Sequence, residues 1–579
     1  MLPLLVQSIM AESGKSIEEI LIDLGESKRY VNMTVERQRQ TREPLPVAAK
    51  DMGLISMESL AEAIATKYEF TYFPPAEVSS LDAQQLSTID LVNFAGYCPV
   101  AITDDGGVVI AVSSIEMITE AKNAFMEYDQ KTIVIASEHT VQSIYRLYFS
   151  KTLQQFEKTL ATYKKMPKDS DNSAILSKLW SDLLRHACYI GVSDIYLMYP
   201  GNMGMIKFMR DGVGEMFTYL TTDVFEPMMN VLVAKVSKLE ELKKEPQEAM
   251  IDKTFVEGDL RVAYKDVFDR YVFRVQLEIT PDDQRINAVI RVNDGQSQAT
   301  NFNKVGFDEY TKAAVKRWIA SPTGLVIVTG PTGSGKTTVL NAMLREIDPV
   351  ERPVFTCENP IEYRNGMWGQ MLMAKTKDQT EGEAARILLN SLLRKAPKVI
   401  LFGELRNDLE LLQNIMTASI TGHLVFTTVH TNTAVNTIRR LLDIGASSEG
   451  IATCLSGVLG VRLVRLLCEH CKKVDEDPYH YEIIKKALQS NTPDNLKLYV
   501  HEETGCPHCR QGYRGRKLVY EALNTRKVQR LIESNASLHE IEKEGLVGDP
   551  MWKRGLMMVA DGLTSLKEVS DNIDIPEET

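Results

Sequence analysis

The run Gly330-Pro331-Thr332-Gly333-Ser334-Gly335-Lys336-Thr337-Thr338 sets glycines, a lysine and hydroxyls in the spacing GxxxxGK[ST]. Glycines there let backbone N–H groups turn inward around an anion, at a helix N-terminus that favours negative charge. In this pattern Lys336 reaches the β- and γ-phosphates of a nucleotide such as ATP, and Thr337 offers its hydroxyl to Mg2+. The preceding Leu325-Val326-Ile327-Val328-Thr329 is an apolar β run and the following stretch is helical. That strand–loop–helix context separates a phosphate loop from a chance glycine-rich turn.

Two acids stand where such a loop needs them. Lys398-Val399-Ile400-Leu401-Phe402-Gly403-Glu404 is an apolar strand ending in a carboxylate, the Walker-B pattern, in which Glu404 faces the metal and its waters. Cys357-Glu358-Asn359-Pro360-Ile361-Glu362-Tyr363, on a strand-to-loop exit, is a further acidic patch that includes Glu362. In Thr421-Gly422-His423-Leu424-Val425-Phe426-Thr427-Thr428-Val429-His430-Thr431-Asn432 an apolar strand lies between two histidines. Both are candidates for sensing the γ-phosphate or relaying across a subunit edge, His430 above all.

Of the eight cysteines, Cys98, Cys188, Cys357 and Cys454 lie among apolar neighbours and read as small buried hydrophobes. The other four form two CxxC pairs, Cys468-Glu469-His470-Cys471 and Cys506-Pro507-His508-Cys509, with 34 residues between them. Two such pairs supply four thiolates to one tetrahedral Zn2+.

These residues need a frame. A chain of 579 residues exceeds one core and suggests three or four domains. Hydrophobic residues at 44% and charged residues at 25% are ordinary for a globular protein. The formal charge of -12 argues against nucleic acid as a partner, because phosphate contact needs a lysine and arginine excess. No apolar window spans a membrane and Met1-Leu2-Pro3-Leu4-Leu5-Val6 lacks a basic flank, so any membrane role is expected to be peripheral. Residues 1–40 read as a helical extension, with a helix over Ser16–Leu24 ending at Gly25. Residues 41–150 mix helices and strands, including Val108–Val112 and Thr132–Ala136. Residues 151–172 are polar and read as a linker. A second α+β domain follows over 173–300. After 301 the pattern alternates strand and helix, as in a parallel α/β core.

The order of phosphate loop, acidic box, Gly-Glu Walker B and histidine box resembles the type II secretion and type IV pilus assembly ATPases. The likeness continues through Thr437-Ile438-Arg439-Arg440-Leu441-Leu442-Asp443 and Gly460-Val461-Arg462-Leu463-Val464-Arg465. It is specific from about 300 to 525 and weaker from 173 to 300. It implies an α/β multidomain chain: a RecA-like P-loop ATPase core over 301–579, a preceding PAS-like α+β domain, and an N-terminal α/β docking domain. The core includes a structural zinc element over 460–525 and C-terminal helices. It also implies a cytoplasmic homohexamer, peripheral at the inner membrane, that hydrolyses ATP to drive pilus assembly through an inner-membrane platform protein. The type II secretion ATPase is the alternative; the tetracysteine element argues against retraction and DNA-transfer motors. Arg261 and Arg274, with Arg291, fall at places resembling the family's nucleotide-contacting arginines and would act in trans. A hinge near Pro322-Thr323-Gly324 would let their domain move.

Several residues depart from the family pattern. Asn359 and Asn407 replace aspartates, Ala396-Pro397-Lys398 replaces an Asp-Pro-Asp step, Tyr196 replaces a histidine, and Met209-Arg210-Asp211-Gly212 shifts an arginine. Hydrolysis is still expected, slow or in a divergent, accessory motor. In the N-terminal domain Pro44-Leu45-Pro46 and Lys67 stand where some relatives contact cyclic di-GMP. That ligand is therefore not expected, and docking to a membrane-complex partner is.

Overall fold

The computed structural model describes residues 14–576 except 87, 90, 92–94, 150, 168–171, 201, 211, 236–254, 261–270, 280–285, 295–300, 360, 374–380, 507–508 and 510. The chain forms two units: residues 1–88, 99–140 and 298–579 make one, and residues 89–98 and 141–297 the other.

The first unit opens with helices Ile17–Asp23, Lys28–Thr41, Leu45–Met52 and Met57–Lys67. Ser16 and Glu19 form a reciprocal capping box on the first, and Ser56 caps the fourth, so each starts where its sequence offers a hydroxyl to an orphan N–H. A small sheet follows: β1 (Thr71–Tyr72), β2 (Tyr97–Ile102), β3 (Val108–Val112) and β4 (Lys131–Ile135), in the order β1-β4-β3-β2.

The second unit holds β5 (Asp194–Met198), β6 (Met203–Arg210), β7 (Val213–Thr221), β8 (Phe255–Leu260), β9 (Tyr271–Ile279) and β10 (Ile286–Asp294), an antiparallel sheet in the order β7-β6-β5-β10-β9-β8. In β6, Gly204, Ile206 and Phe208 are buried and their neighbours are not, the alternation of a sheet with one covered face. Helix Ser173–Tyr189 belongs to the same core. The polar stretch read as a linker contains a helix, Thr152–Lys164, packed on Ser173–Tyr189. Phe156 is buried there, Thr159 Oγ1 donates to Asp182 Oδ2 at 2.7 Å, and Thr152 Oγ1 lies 3.0 Å from His186 Nδ1. Two of its polar residues, Thr152 and Thr159, thus pair with buried partners, while Gln154, Glu157, Lys158, Thr162 and Lys164 face solvent.

Back in the first unit are β11 (Gly324–Thr329), β12 (Val354–Glu358), β13 (Gly369–Leu372), β14 (Val399–Glu404), β15 (Leu424–Val429), β16 (Leu455–Leu467), β17 (Lys473–Val474), β18 (Tyr499–Val500) and β19 (Tyr513–Leu523). Seven form one sheet, β13-β12-β14-β15-β11-β16-β19, parallel except for the last pair; β17 and β18 pair separately. Every residue of β11 is buried. Leu325 and Ile327 enter one apolar layer with Leu412, Ile415 and Ile438, and Val326 and Val328 enter the other with Val315, Trp318 and Leu340. A parallel strand covered on both faces needs the continuous apolar run that the sequence shows.

The expected hinge at 322–324 is not one. Arg352 donates to the carbonyls of Ile319 at 2.6 Å and Ser321 at 2.7 Å, and Arg526 reaches Ser321 Oγ at 2.9 Å. These bonds fix the turn between helix Glu309–Ala320 and β11, two elements of one core. Among the described residues, no helix is long and apolar enough to cross a membrane.

Candidate functional site

The sheet order brings the ends of β11, β14 and β15 together. The phosphate loop leaves β11 and enters helix Lys336–Arg345 with Gly335 as its N-cap. Gly330 is required for close approach: a Cβ there would lie 2.4 Å from the Val461 carbonyl oxygen and 2.5 Å from Ser334 Oγ. Ser334 Oγ is buried and, among the described residues, has no hydrogen-bond partner. The Lys336 ammonium donates to the carbonyls of Gly330 at 2.7 Å and Pro331 at 2.8 Å, folding back over the loop. Burial pulls its pKa down to about 8, and Arg462 adds to the drop against the opposing pull of Glu404 and Glu362. A buried hydroxyl without a partner and an ammonium held by carbonyls alone suit a loop that receives phosphate.

Glu404 ends β14. The β14–β15 register shifts between Phe402 and Glu404, so the strand bulges at Gly403 and Glu404 stands opposite Thr428. His430 Nε2 lies 3.3 Å from Glu404 Oε1, and Arg406 Nε approaches the same oxygen at 3.6 Å. Burial, then Lys336, lowers the His430 pKa against the pull of Glu404, which leaves the ring neutral near pH 7. Thr329, the residue before the loop, holds this histidine's neighbours. Its Oγ1 donates to the Val429 carbonyl at 2.9 Å and accepts from the Thr431 N–H at 3.0 Å. His423 does something else. It begins at the far end of β15, roughly 20 Å away at strand rise, and its Nδ1 lies 3.0 Å from the Ala418 carbonyl at the end of helix Leu409–Ile420.

Glu362 follows β12, close enough to Lys336 and Glu358 to act on the pKa of both. Glu358 is buried, which raises its pKa, and accepts from Thr356 Oγ1 at 2.6 Å. Tyr363, next to Glu362, pairs its hydroxyl with Thr338 Oγ1 at 2.7 Å, tying the acidic box to the phosphate-loop helix. Pro331, Thr332 and Gly333 are exposed; Gly335, Thr337 and Thr338 are half-buried.

Arg261 lies outside the described residues. Arg274 lies on β9, opposite Asp259 of β8 and Arg291 of β10, and its side chain is outside the described residues. Arg291 Nε bonds Asp194 Oδ1 at 3.0 Å.

The sequence reading missed Arg462. Its guanidinium is buried beside the loop and donates to the Asn432 carbonyl at 2.8 Å, the Val461 carbonyl at 3.1 Å and the Asn572 carbonyl at 3.3 Å. A charge inside the apolar run Val458–Leu467 was the available signal, since a charge there requires buried partners.

The cysteines converge because β16 and β19 pair antiparallel. Cys468-x-x-Cys471 follows the end of β16 and Cys506-x-x-Cys509 precedes the start of β19, with Leu467 opposite Tyr513. Sulfur separations are 3.7 Å for Cys468–Cys506, 3.5 Å for Cys471–Cys509 and 3.6 Å for Cys506–Cys509, and the four ligand atoms lie within 4.8 Å of one another. Thiolates about 2.3 Å from a tetrahedral Zn2+ stand about 3.8 Å apart, so the cluster fits that ion.

Residues 169–571 match the family model described as Type II/IV secretion system protein. Over 412 residues the chain is 34% identical to the type II secretion system ATPase E of Vibrio cholerae serotype O1, covering 69% of this chain and 76% of that protein. Over 500 residues it is 29% identical to the type IV pilus assembly ATPase PilB of Myxococcus xanthus, covering 83% of each. The solved pilus retraction motor PilT with bound ADP aligns over 69% of this chain and 98% of its own, with TM-score 0.45 and 22% identity.

Proposed function

Because this chain belongs to the type II/IV secretion system protein family, an ATPase that powers pilus or secretion assembly, we propose that it is the extension motor of a type IV pilus. In this reading it works as a homohexamer at the cytoplasmic face of the inner membrane and moves a platform protein there. The pilus reading rests on the match to PilB, whose 500 residues reach beyond the 169–571 core into the N-terminal region. The type II secretion reading is the second, favoured by the 34% identity to ATPase E.

One observation carries the site assignment: Lys336, Glu404 and His430 meet at the adjoining ends of three core strands, with Glu362 in electrostatic reach. Residues 330–338 hold the phosphates of ATP, and Lys336 gives its ammonium to the β- and γ-phosphates. Mg2+ neutralises phosphate charge when it is bound, and Thr337 and Glu404 are the residues to hold it. Glu362 accepts the proton of the attacking water. His430, neutral and braced on Glu404, follows whether the γ-phosphate is present. Arg261 and Arg274 bring positive charge from the neighbouring subunit. Cys468, Cys471, Cys506 and Cys509 hold a structural Zn2+ that ties the end of β16 to the approach to β19. The N-terminal domain docks to a membrane-complex partner. Cyclic di-GMP is left out of this reading, because Pro44-Leu45-Pro46 and Lys67 stand where some relatives contact it.

The test is the Lys336→Ala chain in the native bacterium. Loss of surface filaments with exoprotein secretion intact supports the pilus motor. Loss of secretion with filaments intact transfers the assignment to type II secretion.

A further inference from the structure

We propose that the turn 52–54 of the N-terminal domain is a positioning element for Glu362, so that the seating of that domain sets the rate of ATP hydrolysis. The inference rests on the reading of Glu362 as general base.

Glu362 sits on the segment between β12 and β13, and the described bonds restrain that segment from two sides. On one side Tyr363 Oη pairs with Thr338 Oγ1 at 2.7 Å, two residues from Lys336. Gln370 Nε2 donates to the Tyr363 carbonyl at 2.8 Å, and the Asn365 N–H donates to Gln370 Oε1 at 2.9 Å. On the other side the contacts come from a region some three hundred residues earlier in the chain. The Gly366 N–H donates to the Met52 carbonyl at 3.0 Å. Gly53 ends helix Leu45–Met52 in the left-handed conformation, φ 61°, and a Cβ there would lie 2.7 Å from the Arg364 carbonyl oxygen. No side chain fits between the turn and the segment.

The turn is itself anchored to the phosphate-loop helix. Arg345, in the last turn of helix Lys336–Arg345, is buried and spreads its guanidinium across the turn: Nη2 donates to the Gly53 carbonyl at 2.6 Å and Nη1 to the Leu54 carbonyl at 2.8 Å. Its Nε bonds Asn341 Oδ1 at 2.9 Å. Nearby, the buried Tyr30 hydroxyl donates to the Ile347 carbonyl at 3.2 Å. A buried guanidinium is costly unless its donors are satisfied, and here two of its acceptors belong to the N-terminal domain. The helix that presents Lys336 and the segment that presents Glu362 therefore share one support. Displacing the turn takes two acceptors from Arg345 at the far end of that helix, nine residues from Lys336, and takes from the Glu362 segment its direct bond to Met52.

The experiment uses the full chain. Gly53→Ala and Gly53→Asn each add a Cβ against Arg364, and asparagine tolerates the left-handed backbone, so Asn separates backbone strain from the close approach. Both are expected to lower kcat by about 10- to 100-fold, the size of an ångström-scale misplacement, with the KM for ATP and the affinity for a fluorescent ATP analogue held. On a Glu362→Gln background, single-turnover assays are expected to show no further loss, since both changes act through one group. Amide exchange in the unmodified chain gives a reading independent of any variant: the Gly366 N–H is expected to be protected. A Glu362→Gln chain with normal turnover would overturn the base assignment. With steady turnover by Glu362→Gln sharply reduced, four results would overturn the positioning role alone: normal kcat in both Gly53 variants, a raised KM with kcat held, an equal further loss in the residual single-turnover rate on the Glu362→Gln background, or fast exchange at Gly366.

Discussion

Raising the pH should weaken ATP binding through Lys336. Its ammonium is half-buried against the carbonyls of Gly330 and Pro331, and burial pulls its pKa down to about 8 from the ordinary lysine value of 10.5. Bound phosphates favour the ammonium, so the pKa rises again on binding. The sign follows: below about pH 8 the lysine is already charged and affinity is full; above it, binding must take up a proton and affinity falls. At pH 9 about one free molecule in ten keeps the ammonium, so the Kd for ATP should be about tenfold weaker than at pH 7, close to 1.4 kcal/mol. The terminal phosphate ionises near pH 6, outside this window. The assay is equilibrium titration with a fluorescent ATP analogue from pH 7 to 9.5, in the unmodified chain and in Lys336→Arg. Arginine does not titrate there, so its profile should be flat. A flat profile in the unmodified chain, or the same slope in Lys336→Arg, would refute the reasoning.

Replacing Cys468 and Cys471 with serine should release the zinc, from about one ion per chain, and lower the unfolding temperature of the 460–525 element, because metal coordination supplies folding energy to a small hairpin; metal analysis showing no zinc in the unmodified chain would contradict this. Lys336→Ala and Arg274→Ala chains, each inactive alone, should partly restore hydrolysis when mixed, since about a quarter of the interfaces of a randomly mixed ring then hold both groups. A mixture that stays inactive would place Arg274 in its own subunit's site.

The nucleotide site was legible because its signals are local. An apolar strand, a glycine loop and a helix are consecutive in sequence, Glu404 ends the apolar run of β14, and His430 directly follows the fully buried β15. The cysteine cluster was legible from spacing, and the β16–β19 pairing supplies its geometry. Other features depend on distant partners. Nothing near Gly53 announces Arg345 or Arg364, and nothing near Pro322 announces Arg352 and Arg526, which convert an expected hinge into a braced turn. Helix Thr152–Lys164 did leave a trace: Phe156, Leu160 and Tyr163 recur at helical spacing and face the core of their unit, although lysines, threonines and glutamines surround them. Polar composition outweighed that periodicity in the sequence reading.

The most direct test of the central claim is phosphate release from ATP and Mg2+ by the purified full chain, measured beside Lys336→Ala and Glu362→Gln. The account predicts steady hydrolysis by the unmodified chain, none above background in Lys336→Ala with its melting temperature unchanged, and nucleotide binding without turnover in Glu362→Gln. Hydrolysis by Lys336→Ala at the unmodified rate would contradict it.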